Sequence, residues 1–185
     1  MQDDLLIDRV LAGDMAAARD LYDAHVAAVF RLALRMTADE PLAHEATQDV
    51  FVRVFRGLRG FRRDASLRTW IHRIALAAIL NALRGRKRWH AQFTDIEEAD
   101  LHGEAHRSPG AEPDLREQLY AAIDALPEIY RSVFVLHEIE GHTHDEIGAL
   151  LRIPAGTSKA RLNEARTKLR SALHVFEGEW RGASA

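Results

Sequence analysis

Apolar side chains in the first half of the chain recur at helical spacing, and almost no stretch alternates with the period of two that a half-buried strand requires. This half therefore reads as all-helical. A short helix from about Leu5 ends at Gly13, and Asp14 is placed to cap a long helix whose stripe holds Leu21, Val29, Leu32 and Met36. Thr37-Ala38-Asp39-Glu40-Pro41 interrupts it. A third helix, about Leu42 to Arg56, sets Ala43, Ala46, Val50 and Val54 on one face and His44, Glu45, Gln48, Asp49 and Arg53 on another. Gly57 and Gly60 mark its end. Beyond a loop around Phe61 to Ala65, Ser66 is placed to cap a helix to about Arg84, with Leu67, Trp70, Ile71, Ile74 and Ala78 inward.

Periodicity is lost over residues 89–113, which carry Pro109, Gly110 and Pro113 and read as a linker. The expected organisation is a domain at 1–88, the linker, a second domain at 114–175 and a tail at 176–185. The pattern resumes at Asp114, whose spacing to Glu117 is that of a capping box, with a stripe of Leu115, Leu119, Ile123 and Leu126 before Pro127. A helix from Glu128 to Glu140 ends at Gly141. Thr143 and Glu146 repeat the cap-and-glutamate pattern for a short helix through Leu151. Arg152-Ile153 makes a tight connection, and Pro154 opens a basic helix to about Leu173. The fold class expected is all-α, two small helical domains joined by a flexible linker.

Composition narrows the function classes. The 185 residues are 47% hydrophobic, 29% charged and 7% aromatic, a globular balance. The longest apolar run, Ile74 to Leu80, is far short of the roughly 20 residues of a membrane-spanning helix, and Met1-Gln2-Asp3-Asp4 is acidic where a signal peptide is basic. No membrane insertion and a cytoplasmic location are expected. The absence of cysteine excludes disulfides, thiolate metal sites and a cysteine nucleophile. The formal net charge of -3 conceals blocks: residues 53–88 carry 11 basic and 1 acidic side chains, residues 89–128 carry 2 and 10, and residues 152–170 carry 6 and 1. Two basic islands in an acidic chain suggest two surfaces for a polyanion.

Residues 143–170 have the form of a helix-turn-helix, with Gly148 leaving room at the crossing. The second helix presents Thr157, Ser158, Lys159 and Arg161 near its N-terminal end, where a recognition helix meets base edges, and Arg166, Lys168 and Arg170 later, where phosphates lie. A helical hairpin with a solvated basic face is the plainer reading of the same letters. In the first island Phe55, Phe61, Trp70 and Trp89 lie among arginines, the combination expected to stack unpaired bases and hold a single strand, while Trp70 and Phe55 at helical spacing read equally as core residues. His137, Glu138 and His142 lack the HExxH spacing of a zinc hydrolase, and Gly156-Thr157-Ser158-Lys159 lacks the glycine spacing and strand of a phosphate loop. No nucleophile and base pair stands out, so neither enzyme activity nor a cofactor is expected.

The stretches Ala46-Thr47-Gln48-Asp49-Val50-Phe51-Val52-Arg53-Val54-Phe55 and Phe61-Arg62-Arg63-Asp64-Ala65-Ser66-Leu67-Arg68-Thr69-Trp70-Ile71-His72-Arg73-Ile74-Ala75 resemble the second conserved domain of the extracytoplasmic-function sigma factors, in the sigma-70 family. Ala125-Leu126-Pro127, Gly141-His142-Thr143-His144-Asp145-Glu146-Ile147 and Ile153-Pro154-Ala155-Gly156-Thr157-Ser158-Lys159-Ala160-Arg161-Leu162 resemble their fourth. The resemblance implies a transcription initiation factor that binds bacterial core RNA polymerase, directs it to promoters and assists opening. It implies that Gln48, Asp49, Val52 and Arg53 dock on the polymerase. It implies minus-ten contacts from Phe61, Arg62, Ser66, Thr69, Trp70, Arg73, Asn81, Arg84, Arg86, Lys87 and Arg88. For the minus-thirty-five element it implies Thr143, Gly156, Thr157, Ser158, Lys159, Arg161, Arg166, Lys168 and Arg170. An anti-sigma factor is the further partner implied. The family usually has Asn at Ala77, valine at Ser158 and a basic pair at Asn163-Glu164, departures that bear on promoter sequence. The rival readings are a conventional dimeric helix-turn-helix regulator, which requires a dimerisation helix that the sequence does not obviously contain, and a metal-dependent enzyme using the histidines.

Overall fold

The computed structural model describes the backbone of residues 2–93 and 115–182 and the side chains of 3–86 and 116–173. The described elements are helical throughout. They run α1 (Gln2–Leu11), α2 (Met15–Thr37), α3 (Glu40–Gly57), a single 3-10 turn (Leu58–Gly60), α4 (Leu67–Phe93), α5 (Leu115–Asp124), α6 (Glu128–Phe134), α7 (His144–Leu151) and α8 (Ala155–Gly182). The chain divides into two compact units, Met1–Asp95 and Ile96–Ala185. Among the described residues no helix is long and apolar enough to cross a membrane.

In the first unit α2, α3 and α4 pack on one another through the stripes expected of them. Leu21, Val29, Leu32 and Met36 of α2, Ala43, Ala46, Val50 and Val54 of α3, and Leu67, Ile71 and Ala78 of α4 are all buried, whereas Trp70 and Ile74 are only half-buried. The cap at Asp14 forms as expected: its carboxylate accepts from the N–H of Ala16 (2.9 Å) and Ala17 (3.1 Å). The corner between α2 and α3 differs from the expectation. α3 opens at Glu40, with Pro41 in its first turn and Asp39 as N-cap, accepting the Leu42 N–H at 2.9 Å. Buried Thr37 completes the corner, its Oγ1 donating to Ala33 O (2.9 Å) and accepting from Asp39 N (3.2 Å).

α4 continues through Phe93, past the expected end near Arg84 and into the first residues of the expected linker. Arg, Lys, Ala and Gln are good helix formers, and one interior Gly at 85 costs only about 1 kcal/mol. Likewise α8 runs to Gly182, beyond Leu173 and into the expected tail. Lys87 and Arg88 lie on the α4 backbone but outside the residues whose side chains are described. The Asp114 cap and residues 94–113 of the linker lie outside the described residues.

The second unit is built from short helices closed by specific caps. Arg131 of α6 is buried, and its Nη1 donates to Asp124 O and Leu126 O, both at 2.8 Å, satisfying carbonyls left over at the end of α5. α6 widens into a π-helical turn at Val135–Ile139 where a regular helix to Glu140 was expected. The turn closes with Glu140 N donating to Val135 O (3.0 Å) and His142 N donating to Leu136 O (2.9 Å) around Gly141 at φ +75°. A π turn inserts one extra residue per turn, and it brings His137 against the start of α7. At the α7–α8 crossing a Cβ on Gly148 would stand 2.8 Å from Ile153 O, so only glycine permits this approach.

Replacing Arg131 with Met retains bulk but leaves two carbonyls without their charged donor. Urea unfolding followed by circular dichroism is expected to show Arg131→Met destabilising the second unit by about 2–3 kcal/mol, with the transition of the first unit unmoved.

Candidate nucleic-acid interface

On α3 the buried face of Ala43, Ala46, Val50 and Val54 leaves Gln48, Val52 and Arg53 exposed and Asp49 half-buried on the opposite side. Arg53 donates to the Asp49 carboxylate from Nε (2.9 Å) and Nη2 (2.8 Å), a helical pair that holds both side chains along the surface. Beside them Val52, 46% exposed, and Phe55, 37% exposed, leave apolar surface open to solvent. Phe55 continues an aromatic row through Phe51 (6.4 Å) to Tyr22 of α2 (4.5 Å). A charged pair flanking exposed apolar side chains is the composition of a protein-docking patch.

The loop from Phe61 to Ser66 and the first turns of α4 form a second surface. Trp70 lies against Gly57, where an added Cβ would stand 3.3 Å from the indole, and its ring sits 5.0 Å from that of Phe61. These two half-buried aromatics make a platform. Ser66 caps α4, accepting from Thr69 N (3.1 Å), and its hydroxyl also pairs with that of Thr69 (2.8 Å), so both exposed hydroxyls are held together. Arg62 and Arg73 are exposed. Arg63 adopts a left-handed φ of +63° and reaches back to α1, with Nη2 donating to Asp8 and Nε 3.5 Å from Asp4.

Further along α4, Arg84 donates to Asn81 Oδ1 (2.7 Å) and Arg86 donates to Asp39 Oδ2 (3.1 Å). Arg86 thus ties α4 to the cap of α3, a partner that the sequence pattern did not reveal because the two lie 47 positions apart.

In the second unit the expected capping box forms in full. Thr143 Oγ1 accepts from Glu146 N (3.3 Å), and Glu146 Oε2 accepts from Thr143 N (2.8 Å) and Oγ1 (2.9 Å). Those two bonds, with a contribution from His142, hold the Glu146 carboxyl below its usual value. Gly156, Lys159, Arg166, Lys168 and Arg170 are exposed, and Thr157 and Arg161 half-buried, along α8. Ser158 corrects the expectation. It is fully buried, facing the interior rather than a groove, and its Oγ lies 3.0 Å from His144 Nδ1. A hydroxyl at that position of the helix falls on the stripe of Leu162, Ala165 and Leu169, all buried.

Arg166 donates to Glu138 from Nε (3.1 Å) and also from Nη2, and Lys168 lies over Tyr130 at 5.6 Å and near Glu164 at 3.7 Å. His144 stacks on His137 at 4.6 Å. Desolvation, then the neighbouring His137, Lys159 and Arg166, hold its imidazole below its usual value against the opposing Asp145. Among the described residues no three His, Asp or Glu side chains converge in a way that would hold a metal ion.

Two helical units thus carry, in order, an exposed α3 face with an aromatic-basic loop and a helix-turn-helix with a basic second helix. Comparison with known sequences matches Sigma-70 region 2 to residues 21–89 and Sigma-70 region 4 to residues 116–169. The RNA polymerase sigma-H factor of Pseudomonas aeruginosa is 31% identical over 182 residues, covering 93% of this chain and 94% of that protein. The chain belongs to the extracytoplasmic-function sigma factors. A second relative, the ECF RNA polymerase sigma factor SigE of Mycolicibacterium smegmatis, is 33% identical over 172 residues, 90% of this chain but 66% of that longer protein. The fold matches that of the sigma factor RpoE from Bartonella quintana, solved in complex with the anti-sigma factor NepR, with a TM-score of 0.56 at 20% identity, covering 85% of this chain and 96% of that one. Sigma factors initiate transcription and are not enzymes, so the metal-dependent reading falls away and the dimeric regulator is not favoured.

In this sigma factor Glu138 holds Arg166, a residue expected from the family resemblance to meet a phosphate of the minus-thirty-five element. Glu138→Gln weakens that pair. Filter-binding of the full chain to its promoter duplex across a salt series is expected to show about two- to threefold tighter binding and a salt slope steeper by roughly one phosphate contact.

Proposed function

We propose that this chain is a promoter-specificity subunit that binds bacterial core RNA polymerase through α3, reads the minus-thirty-five element with α8 and opens the minus-ten element with the loop from Phe61 and the start of α4. The polymerase performs the bond-forming chemistry. The observation that carries the reading is that regions 2 and 4 of the sigma-70 family lie in order on one chain, each on its own helical unit, with most of the residues the family uses lying at the surface.

Gln48, Asp49, Val52 and Arg53 are the polymerase-docking residues. The paired Asp49 and Arg53 supply charge complementarity, and Val52 supplies apolar area beside Phe55. Phe61 and Trp70 are the stacking platform for a base taken from the non-template strand, with Arg62, Arg73 and Arg84 holding its backbone. Ser66, Thr69 and Asn81 supply hydroxyl and amide groups along the same surface, and the family resemblance assigns Arg86, Lys87 and Arg88 to the same promoter element. Unstacking costs a few kcal/mol per base step, which stacking on the two aromatic rings and capture among arginines offset. On α8, Gly156, Thr157, Lys159 and Arg161 meet the major groove and Arg166, Lys168 and Arg170 the phosphates, while Thr143 at the start of α7 approaches the backbone. The cytoplasm is the compartment where such a factor meets polymerase. An anti-sigma factor that covers these docking faces is its proposed regulator, as NepR is the partner of RpoE in the solved complex.

Run-off transcription with purified bacterial core polymerase, on DNA from upstream of this protein's own coding region, is the deciding experiment. A discrete transcript that depends on the added protein is expected; neither a transcript nor co-migration with core polymerase would refute the reading. Val52→Asp is expected to weaken core binding at least tenfold in a competition assay, with unchanged melting. Trp70→Ala is expected to reduce permanganate reactivity of the minus-ten thymines about tenfold while duplex retention changes less than threefold.

A further inference from the structure

His144, the first residue of α7, links that helix to α8 and to the π turn that follows α6. Its own helix fixes it beside the Thr143 cap, its ring stacks on His137 in the π turn after α6 with an interplanar angle of 25°, and its Nδ1 meets Ser158 Oγ of α8 at 3.0 Å. Ser158 is fully buried, and His144 is the only partner recorded for its hydroxyl among the described residues. A buried hydroxyl without a partner is costly. The bond therefore favours one rotation of α8 about its axis, the one that keeps Ser158 inside.

That rotation has consequences for the neighbouring side chains of the same turn. Thr157 and Lys159 flank Ser158 in sequence, and Arg161 lies three residues on, so each is carried round the helix axis with it. One residue corresponds to about 100° of helical rotation, and a bidentate base contact tolerates far less than that. Gly148 limits the remaining freedom, because α7 approaches the connection before α8 so closely that a Cβ there would stand 2.8 Å from Ile153 O.

We infer that His144 is a positioning residue for promoter recognition: held between His137 and Ser158, its imidazole locks the rotation of α8 that the stripe of Leu162, Ala165 and Leu169 selects, and so keeps Thr157, Lys159 and Arg161 aimed at the groove without touching DNA itself. The inference rests on the reading of α8 as the minus-thirty-five recognition helix. It predicts a pairing between positions 144 and 158. Asparagine at 144 carries a polar atom close to where Nδ1 stands and retains the bond, alanine abolishes it, and valine at 158 removes the need for it.

The test uses holoenzyme assembled from core polymerase and the full-length chain, on a promoter that the wild-type protein transcribes, against the same fragment with a scrambled minus-thirty-five element. His144→Ala is expected to lower the ratio of specific to scrambled binding about tenfold, His144→Asn to stay within threefold of wild type, and His144→Ala with Ser158→Val to recover most of the loss. Core-polymerase affinity is expected to be unchanged in all three. Retention of the full ratio by His144→Ala, or failure of both His144→Asn and the double substitution to recover it, would overturn the inference while leaving the sigma function intact. A wild-type protein that neither transcribes nor joins core polymerase would overturn both.

Discussion

What the first unit offers a partner depends on burying one face of α3 between α2 and α4. Ala43 and Ala46 are small enough to let the helices approach, Val50 and Val54 fill the remainder, and all four are at most 2% exposed. Helical periodicity then leaves no choice about the opposite face: Gln48, Val52 and Arg53 must point to solvent. Turning α3 by one residue would bury a guanidinium and expose a valine of the core, so packing fixes the surface proposed for docking. The same core sets α4, whose Leu67 and Ile71 anchor the turn that raises Trp70 beside Phe61.

The second unit solves a harder problem, since α6 and α7 are too short to persist alone. Their ends are held instead by groups that satisfy stray backbone atoms: Arg131 on the last carbonyls of α5, the Thr143–Glu146 box on the first N–H groups of α7, and a left-handed Gly141 between them. Cooperativity among these small terms replaces the long apolar seam of the first unit. It also concentrates polar chemistry at the point where α6, α7 and α8 meet, which is where His137, His144 and Ser158 are found.

Much of this was legible in the sequence. The inward stripes of α2 and α3, the caps at Asp14, Ser66 and Thr143, and the close crossing at Gly148 follow from local spacing, and local spacing is what a sequence displays. The rest depends on neighbours distant along the chain or on competition between equals. Asp39 was one of several polar residues before a proline, and only the fold shows that it caps α3 and accepts from Arg86 as well. Ser158 has the letter of a groove contact, but its place on the stripe of Leu162, Ala165 and Leu169 takes it inside. The extra length of α4 and α8 was hidden because propensity can continue a helix after its apolar pattern has ended.

The arginine at position 63 gives α1 a share in what happens elsewhere. Its backbone sits in a conformation that residues other than glycine adopt reluctantly, and its guanidinium spans about one turn of α1 by reaching both Asp4 and Asp8. α1 therefore behaves as a splint for the loop between the 3-10 turn and α4. In practical terms the amino-terminal segment is not a neutral handle: an affinity tag that displaced α1, or a deletion that removed it, would leave that loop free to reshape at the surface assigned to strand capture.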